Sequence, residues 1–490
     1  MHERITLPAY LDDIHRRLLA LAPDAVLIGG AVRDLLVERP VHDLDYVVTG
    51  DALIIGRRLA DELGAAFYPL DEERHIARVV WLNENAKGRK LVVDISSLIG
   101  ITLLEDIQRR DFTLNAIALL PYGDLFDPLG GVADLKNRVL RPCSPDSLLN
   151  DPVRTIRAVR FLLDFHLKPA PGLDHLVWHA APYLVRISPE RQRDEFLKAL
   201  ALDRPHLAVE RMTDWRISDI LLPELVALQG IEQPFPHRFD GFRHTIETLR
   251  WTSWLDRWLR GLEVPRSGLE ARIDAHLAPH HAKLKAYLTE TLTADRARWL
   301  WLRFGALAHD WGKALTFQKD EENHITFYRH EQTSEQLVGE WMARYHCARN
   351  ETVFVQRLCA GHMRPMNLFI TQTRPTPRAR FRFYRDLGDA APATVLLFLA
   401  DFLGARGDSV DFEELDEALE HALLWLEPFL KGDELLPSPL LNGSEIIELL
   451  GIQPGPEVGR LINALREAQA VGEVHTREEA ISYLQQLYPA

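Results

Sequence analysis

The stretch VLIGGAVRDLLVERPVHDLDYVV, residues 26–48, decides how the first third of the chain is read. VLI is a short apolar run of the kind a buried strand requires, and Gly29-Gly30 follows it directly. Glycine lets backbone N–H groups approach a phosphate closely, and a helix beginning there favours an anion. A plain tight turn needs the same pair. DLDYVV (43–48) reads as a second strand led by acids. The period of two puts Asp43 and Asp45 on one face, roughly 6.5–7 Å apart along the chain. Two such carboxylates repel unless they are exposed or share a cation. Mg²⁺ suits them, because it takes one or two carboxylates together with substrate phosphates. An isolated Asp-x-Asp is also common in loops.

Outward from this stretch, ALIIGRRLADELG (52–64) has helical spacing and ends on a glycine. ARVVWLN (77–83) and KLVVDI (90–95) flank ENAKG and predict a hairpin. Residues 1–140 therefore read as α/β. After about 150 the strand signals fade. DPVRTIRAVRFLLDF, ISPERQRDEFLKALA and HTIETLRWTSWL carry helical periodicity, and Pro/Gly clusters predict breaks near 169–173, 234–236, 371–378 and 432–443. The tail from about 437 reads helix, Pro-Gly-Pro turn, helix.

At 490 residues the chain exceeds one core, and 47% hydrophobic with 26% charged residues excludes disordered and fibrous classes. No uninterrupted apolar run approaches the ~20 residues of a membrane span. The opening MHERITLPAYLDDIHRR lacks the apolar core of a signal peptide. Cys143, Cys347 and Cys359 are few and scattered, which excludes a Cys-rich zinc site and predicts a reducing, cytoplasmic setting. The net charge of −14 argues against uniform nucleic-acid binding. Locally the sign reverses. Lys136, Arg138, Arg141, Arg154, Arg157 and Arg160 outnumber Asp146 and Asp151, six against two, giving +4. Such a stripe is either a phosphate-binding surface or a solvated helix face.

A third element is Arg109-Arg110-Asp111-Phe112-Thr113-Leu114-Asn115-Ala116. The guanidinium fork matches phosphate oxygens, and Asp111 would fix an arginine or hold a sugar hydroxyl. The three elements together are more specific than any one. GGxVRD, DLD nine residues later and RRDFTxNA resemble the head of class II tRNA nucleotidyltransferases and bacterial poly(A) polymerases. DPLGG (127–131) and VRTIRAVRF (153–161) fit the same family, and the resemblance runs over nearly the whole chain.

This resemblance implies an α/β, polymerase-β-like nucleotidyltransferase head (1–140), then an all-α neck (141–205), body (206–430) and tail (431–490), predominantly helical overall. It implies addition of C and/or A, as all or part of CCA, to tRNA 3′ ends from CTP or ATP without a nucleic-acid template. Poly(A) polymerase is the alternative. Asp43 and Asp45 match the catalytic carboxylates for Mg²⁺, with Asp94 a third acid by position and polarity. Gly29, Gly30 and Arg33 resemble the triphosphate-side loop, and Arg109, Arg110, Asp111 and Asn115 lie in the ribose and phosphate motif. Asp151 and Arg154, with Arg157 and Arg160 beyond, correspond to the protein template for the incoming base. A carboxylate accepts from the exocyclic amine of C or A, and arginine donates to ring acceptors. U and G would leave buried groups unpaired. The family's leading Glu is Asn150 here, which bears on the choice between CTP and ATP. Asp151-Pro152 is equally a good helix start. Glu190-Arg191 with Asp194-Glu195 resembles a structural neck motif, and the tail segments GIQPGPEVG and REAQAVGEVHTREEA resemble an RNA-gripping region. Only DISSLIGITLLEDIQ (94–108) separates the strand from Arg109. That loop is short for a full CCA-adding member and points to CC-adding or A-adding specialisation.

The second half carries a separate constellation. His244, His309-Asp310 and Asp401 follow the order H…HD…D of the HD phosphohydrolase superfamily, and His330 and His362 would complete a second metal position. A His-Asp pair inside an apolar helix pattern is costly to bury without a partner or metal. Mixed imidazole and carboxylate ligands suit a divalent transition metal or Mg²⁺. The resemblance implies phosphatase or phosphodiesterase activity. It also leaves a third overall reading, an HD phosphohydrolase with an RNA-binding head.

Overall fold

The computed structural model describes residues 5, 7–83, 89–100, 102–293, 295–432 and 438–488. The chain forms two compact units. One comprises residues 1–188 with 215–217, the other 189–214 with 218–490.

The first unit is built on a seven-stranded sheet in the order β3-β4-β5-β2-β1-β6-β7. The strands are β1 (Val26–Ile28), β2 (Asp43–Val48), β3 (Ala66–Asp71), β4 (Ile76–Asn83), β5 (Arg89–Ser97), β6 (Ala118–Leu119) and β7 (Leu125–Phe126). Within this sheet, among the described residues, only β2 and β5 pair in parallel, and that pairing sets Asp45 beside Asp94. β1 runs antiparallel to β2 with Ile28 opposite Asp45, so the end of β1 delivers Gly29 to the acidic end of β2. β4 and β5 pair antiparallel as the hairpin reading requires, while ENAKG lies outside the described residues. The helix Ala52–Leu63 packs on the sheet, capped by the Asp51 side chain at its start and by left-handed Gly64 at its end. Alternation along β2 buries Leu44, Tyr46 and Val48 in the core and leaves Asp43 and Asp45 on the opposite face.

The helix Arg154–Asp164 begins later than its periodicity suggests. Asp151 precedes a proline, which disfavours helical backbone, and it adopts φ −146, ψ 89 in the turn before the helix. Along the segment, Arg154, Arg157 and Arg160 are half-buried while the intervening residues are buried, so the basic stripe occupies one helix face.

The second unit is helical, with Gly241–Leu259 and Ala391–Arg406 as its central packed pair. A window within Pro377–Arg406 is apolar enough to cross a membrane, but 89% of it is buried inside the unit, as befits a core helix. Glu190 pairs with His346, and Arg193 donates to the carbonyls of Tyr345 and His346, so the segment around Glu190-Arg191 ties helices together within this unit. The tail has its own small apolar cluster around Ile446, Leu461, Leu465 and Leu484, made by three helices, Gly443–Leu450, Pro456–Ala470 and Arg477–Leu487.

Candidate functional sites

In the first unit the geometry converges on Gly29. Its φ of +87 and ψ of −137 are open to glycine, and a Cβ there would stand 3.4 Å from Arg110 Nη1 and 3.4 Å from Asp45 Oδ2. Gly29, Asp45 and Arg110 therefore face one another across a space a side chain would fill. Asp43 is exposed at the edge of the same strand face. Asp94 sits beside Asp45 and is gripped by both arms of Arg78 at 2.8 Å. Arg78 carries no signal in the sequence, because its partner is set by strand register. Burial raises the Asp45 carboxyl to about 6, with help from Asp94 and Asp43 and against the pull of Arg110 and Arg157. A carboxylate whose charge is opposed by burial and by neighbouring acids fits a hard divalent cation.

Behind this face lies a polar chain. Arg33 is buried, paired with Asp34, and donates from Nη1 to Asn115 Oδ1 at 2.5 Å. The Asn115 amide donates to Asp111, which also accepts from Arg157 Nε at 2.9 Å and Nη2 at 2.6 Å. Burial opposes the Asp111 charge, but Arg157, Asn115 and the Phe112 N–H hold its carboxyl below the usual range. Arg33, Asp111, Asn115 and Arg157 are thus one network supporting the cleft. Arg154 donates to the carbonyls of Arg109 and Arg110 and to Ser147, with Nε 3.8 Å from Asp151 Oδ2. To engage a base it must exchange those bonds. Arg109 and Asn150 are exposed, and Arg160 lies over the Phe161 ring.

The second site is buried. His309-Asp310 lie just past the helix Arg298–Ala308 rather than inside it. Asp310 reaches two groups of histidines. Its Oδ2 is 3.3 Å from His244 Nε2 and 3.2 Å from His309 Nε2, while Oδ1 is 3.3 Å from His330 Nε2 and 3.7 Å from His362 Nε2. Asp401 Oδ1 completes the first group at 3.0 Å from His244. The Nδ1 atoms of His309, His330 and His362 each meet a backbone carbonyl, of Ala306, Phe327 and Cys359. A carbonyl only accepts, so each Nδ1 carries hydrogen and each Nε2 faces inward, where it can give a lone pair to a cation in place of a proton. His244 Nε2, His309 Nε2 and both Asp310 oxygens are buried and face one another, with the Lys313 ammonium close to Asp310. That donor set fits one or two divalent ions sharing Asp310. Burial alone would lower His309 and raise the acids. Their mutual attraction instead lifts His309 to about 10 and keeps Asp310 and Asp401 well below the usual carboxylate range.

Three neighbours of this centre escaped the sequence reading. Lys313 Nζ lies 2.6 Å from Asp310 Oδ2 and donates to Gln233 Oε1 at 2.6 Å, and the His237 ring packs edge-on against His244 at 4.9 Å. Lys313 was discoverable, since it lies one helical turn from Asp310 in HDWGK. Gln233 and His237 come from a loop with no periodic signal.

Comparison with known proteins agrees with this architecture. Residues 25–141 match the Poly A polymerase head domain and 170–228 the "Probable RNA and SrmB- binding site of polymerase A". The fold is that of a nucleotidyltransferase. An A-adding tRNA nucleotidyltransferase of Deinococcus radiodurans is 33% identical across 94% of this chain and 95% of its own length. A CC-adding tRNA nucleotidyltransferase of Thermus thermophilus is 31% identical across 94% and 93%. The chain belongs to the family of tRNA nucleotidyltransferases and poly(A) polymerases. The fold is shared with a solved Thermotoga maritima CCA-adding enzyme complexed with tRNA, at TM-score 0.57, 19% identity and 99% coverage of both chains.

Proposed function

We propose that the protein adds C and/or A to the 3′ end of tRNA from CTP or ATP without a nucleic-acid template, and that it adds only part of the CCA sequence. The observation that carries this reading is the meeting of Gly29, Asp45 and Arg110 at one cleft. Asp43 and Asp45 would hold Mg²⁺, which when bound neutralises the triphosphate and lowers the barrier to attack by the RNA 3′-hydroxyl on the α-phosphate. The Gly29 backbone leaves room for the phosphates, and Arg110 pairs with their oxygens. Arg157 and Asn115 hold Asp111 beside them. Asp151 would present an acceptor to the base edge, and Arg154 a donor once it exchanges its bonds to the Arg109 and Arg110 carbonyls. Specialisation is supported by the short segment 94–108 and by relatives named A-adding and CC-adding. Tail addition to a tRNA transcript lacking CCA, and to one ending in CC, with labelled CTP or ATP, tests it on a gel. Complete CCA, or long ATP-only tails on any RNA, would reject the specialised reading.

Arg154→Ala is expected to relax the preference for CTP or ATP over UTP and GTP by about tenfold to a hundredfold, the worth of one good base contact. Discrimination unchanged in single-turnover assays would remove Arg154 from the template role.

Asp45 also sets a pH dependence. Its ordinary value is 3.8 and its folded value about 6. The folded head binds that proton more tightly than the unfolded chain, so stability drops as pH climbs from about 4 to about 6. Mg²⁺ offsets the exposed charge. Thermal unfolding is expected to show a larger Mg²⁺-induced rise in Tm at pH 7.5 than at pH 5, and an equal rise at both would contradict it.

A second reading applies to the buried His/Asp centre. It is a divalent-metal phosphohydrolase site, and the four inward Nε2 atoms gathered round the shared Asp310 carboxylate favour it. Asp310→Asn is expected to lower bound metal below half the wild-type content by elemental analysis and to stop metal-dependent phosphate release. Asp45→Ala should leave that release unaffected. Full metal content in Asp310→Asn would defeat this reading.

A further inference from the structure

Strand register carries the acid-bearing face of the head sheet outward to its edge. Asp45 of β2 stands opposite Asp94 of β5, Asp94 opposite Arg78 of β4, and Arg78 opposite Tyr68 of β3. Opposed residues share a sheet face, so Tyr68 lies in one row with Asp45, about 14 Å away across three strand spacings. The other face of β4 and β5 is closed, with Ala77, Val79, Leu91 and Val93 in the core. The acid-bearing face is open. Val80 and Val92 on it are half-buried, Leu82 is 65% exposed, and Lys90 opposite Leu82 is exposed. Tyr68 itself is 52% exposed. An open sheet that offers a ring, aliphatic groups and a cation matches single-stranded RNA, whose bases stack on rings while cations meet its phosphates. A strand added by a protein partner does not match, because Pro69 removes a backbone donor from β3 directly after Tyr68.

The chemistry of transfer supplies a direction. Gly29 and Arg110 meet Asp45 from the β1 side, and Arg154 bonds to the Arg110 carbonyl behind them. The triphosphate and its base therefore take that side of Asp45 in the proposed reaction. Attacking and leaving oxygens lie roughly in line through phosphorus, so the RNA 3′-hydroxyl enters from the other side, over β5. The row Asp94, Arg78, Tyr68 extends that way. We propose that Tyr68 is the stacking residue for a base near the 3′ end of the accepting RNA, whose strand crosses β4 and β5 to reach Asp45, with Lys90 meeting a phosphate. The proposal rests on the nucleotide-adding reading of the head. Tyr68 positions the RNA and does not touch the incoming nucleotide, so its loss falls on kcat/KM for RNA and leaves KM for CTP or ATP.

The test uses the full chain with Mg²⁺ and a tRNA transcript lacking CCA or ending in CC, either intact or with an abasic residue at each of its last two positions in turn. Tyr68→Ser should lower kcat/KM for the intact transcript about tenfold or more, the size of one base–aromatic stack, with KM for CTP or ATP within about twofold of wild type. Tyr68→Phe, which keeps the ring, should stay within about threefold of wild type. In the wild-type protein an abasic residue at the stacked position should cost about the same tenfold, and in Tyr68→Ser it should cost less than about twofold more, because the stack is already gone. An unchanged Tm shows that the Ser variant is folded. Undiminished addition by Tyr68→Ser, or abasic losses that simply add to it, overturns the stacking role while leaving the nucleotide-adding reading standing. No addition by wild-type protein to any intact transcript overturns both.

Discussion

Asp45→Ala is expected to reduce nucleotide incorporation by about a thousandfold or more while tRNA still binds within about threefold of wild type. The size follows from position. Asp45 is the half-buried acid of its pair, beside Asp94 and within reach of Arg110 at the glycine turn, so no water molecule can replace its oxygen without losing charge. Asp94 cannot stand in for it, because both Asp94 oxygens are engaged by Arg78. Primer extension with labelled ATP or CTP under saturating Mg²⁺ measures the loss, and a mobility-shift titration measures binding. Incorporation above a few per cent of wild type would mean the polymerising carboxylates lie elsewhere. Asp43→Ala, at the exposed position, should lose less.

The largest expected effect on stability belongs to Arg303→Met in the second unit. Arg303 and Asp256 are both fully buried. The guanidinium donates to Asp256 Oδ2 at 2.5 Å and to the carbonyls of Leu200 and Leu202 at 2.8 and 2.7 Å. Removing it strands two carbonyls and leaves Asp256 to Arg260 alone. Breaking one side of a buried pair costs about 3–5 kcal/mol. Tryptophan fluorescence during urea unfolding reports this unit, where Trp301, Trp311 and Trp341 are buried. A loss under about 1 kcal/mol would show that Asp256 is already neutralised by Arg260. Arg303→Met with Asp256→Leu should recover part of the stability, because no charge is then left buried.

The head was legible because its chemistry is local. The strand period alone puts Asp43 and Asp45 on one face, and β2 spans the residues read as a strand. The helix end was equally plain at Gly64, while the Asp51 cap at its start appeared only in the structure. The neck was less so. Helical spacing extends back to Asp151, but Pro152 forces an extended residue before it, and the helix opens at Arg154. Arg154 and Arg33 read as ligand-facing from their motifs, whereas folding turns the first onto backbone carbonyls and the second onto Asn115 and Asp34. Arg78, Gln233 and His237 escaped notice because nothing in their immediate neighbours announces the partner.

Taken alone, the order of residues marked out the candidate groups: two strand acids, a glycine pair, an arginine-led motif, and the H…HD…D series. Periodicity and motif spacing are short-range properties, and a chain of letters carries them in full. Only the tertiary structure decided which of those groups meet. Strand pairing brought Asp94 to Asp45, chain reversal brought Arg110 to Gly29, and helix packing made Asp310 the shared neighbour of four histidines drawn from across more than a hundred positions. Such meetings depend on packing between distant segments, and the free energy of that packing is spread over the whole core rather than written in any one stretch.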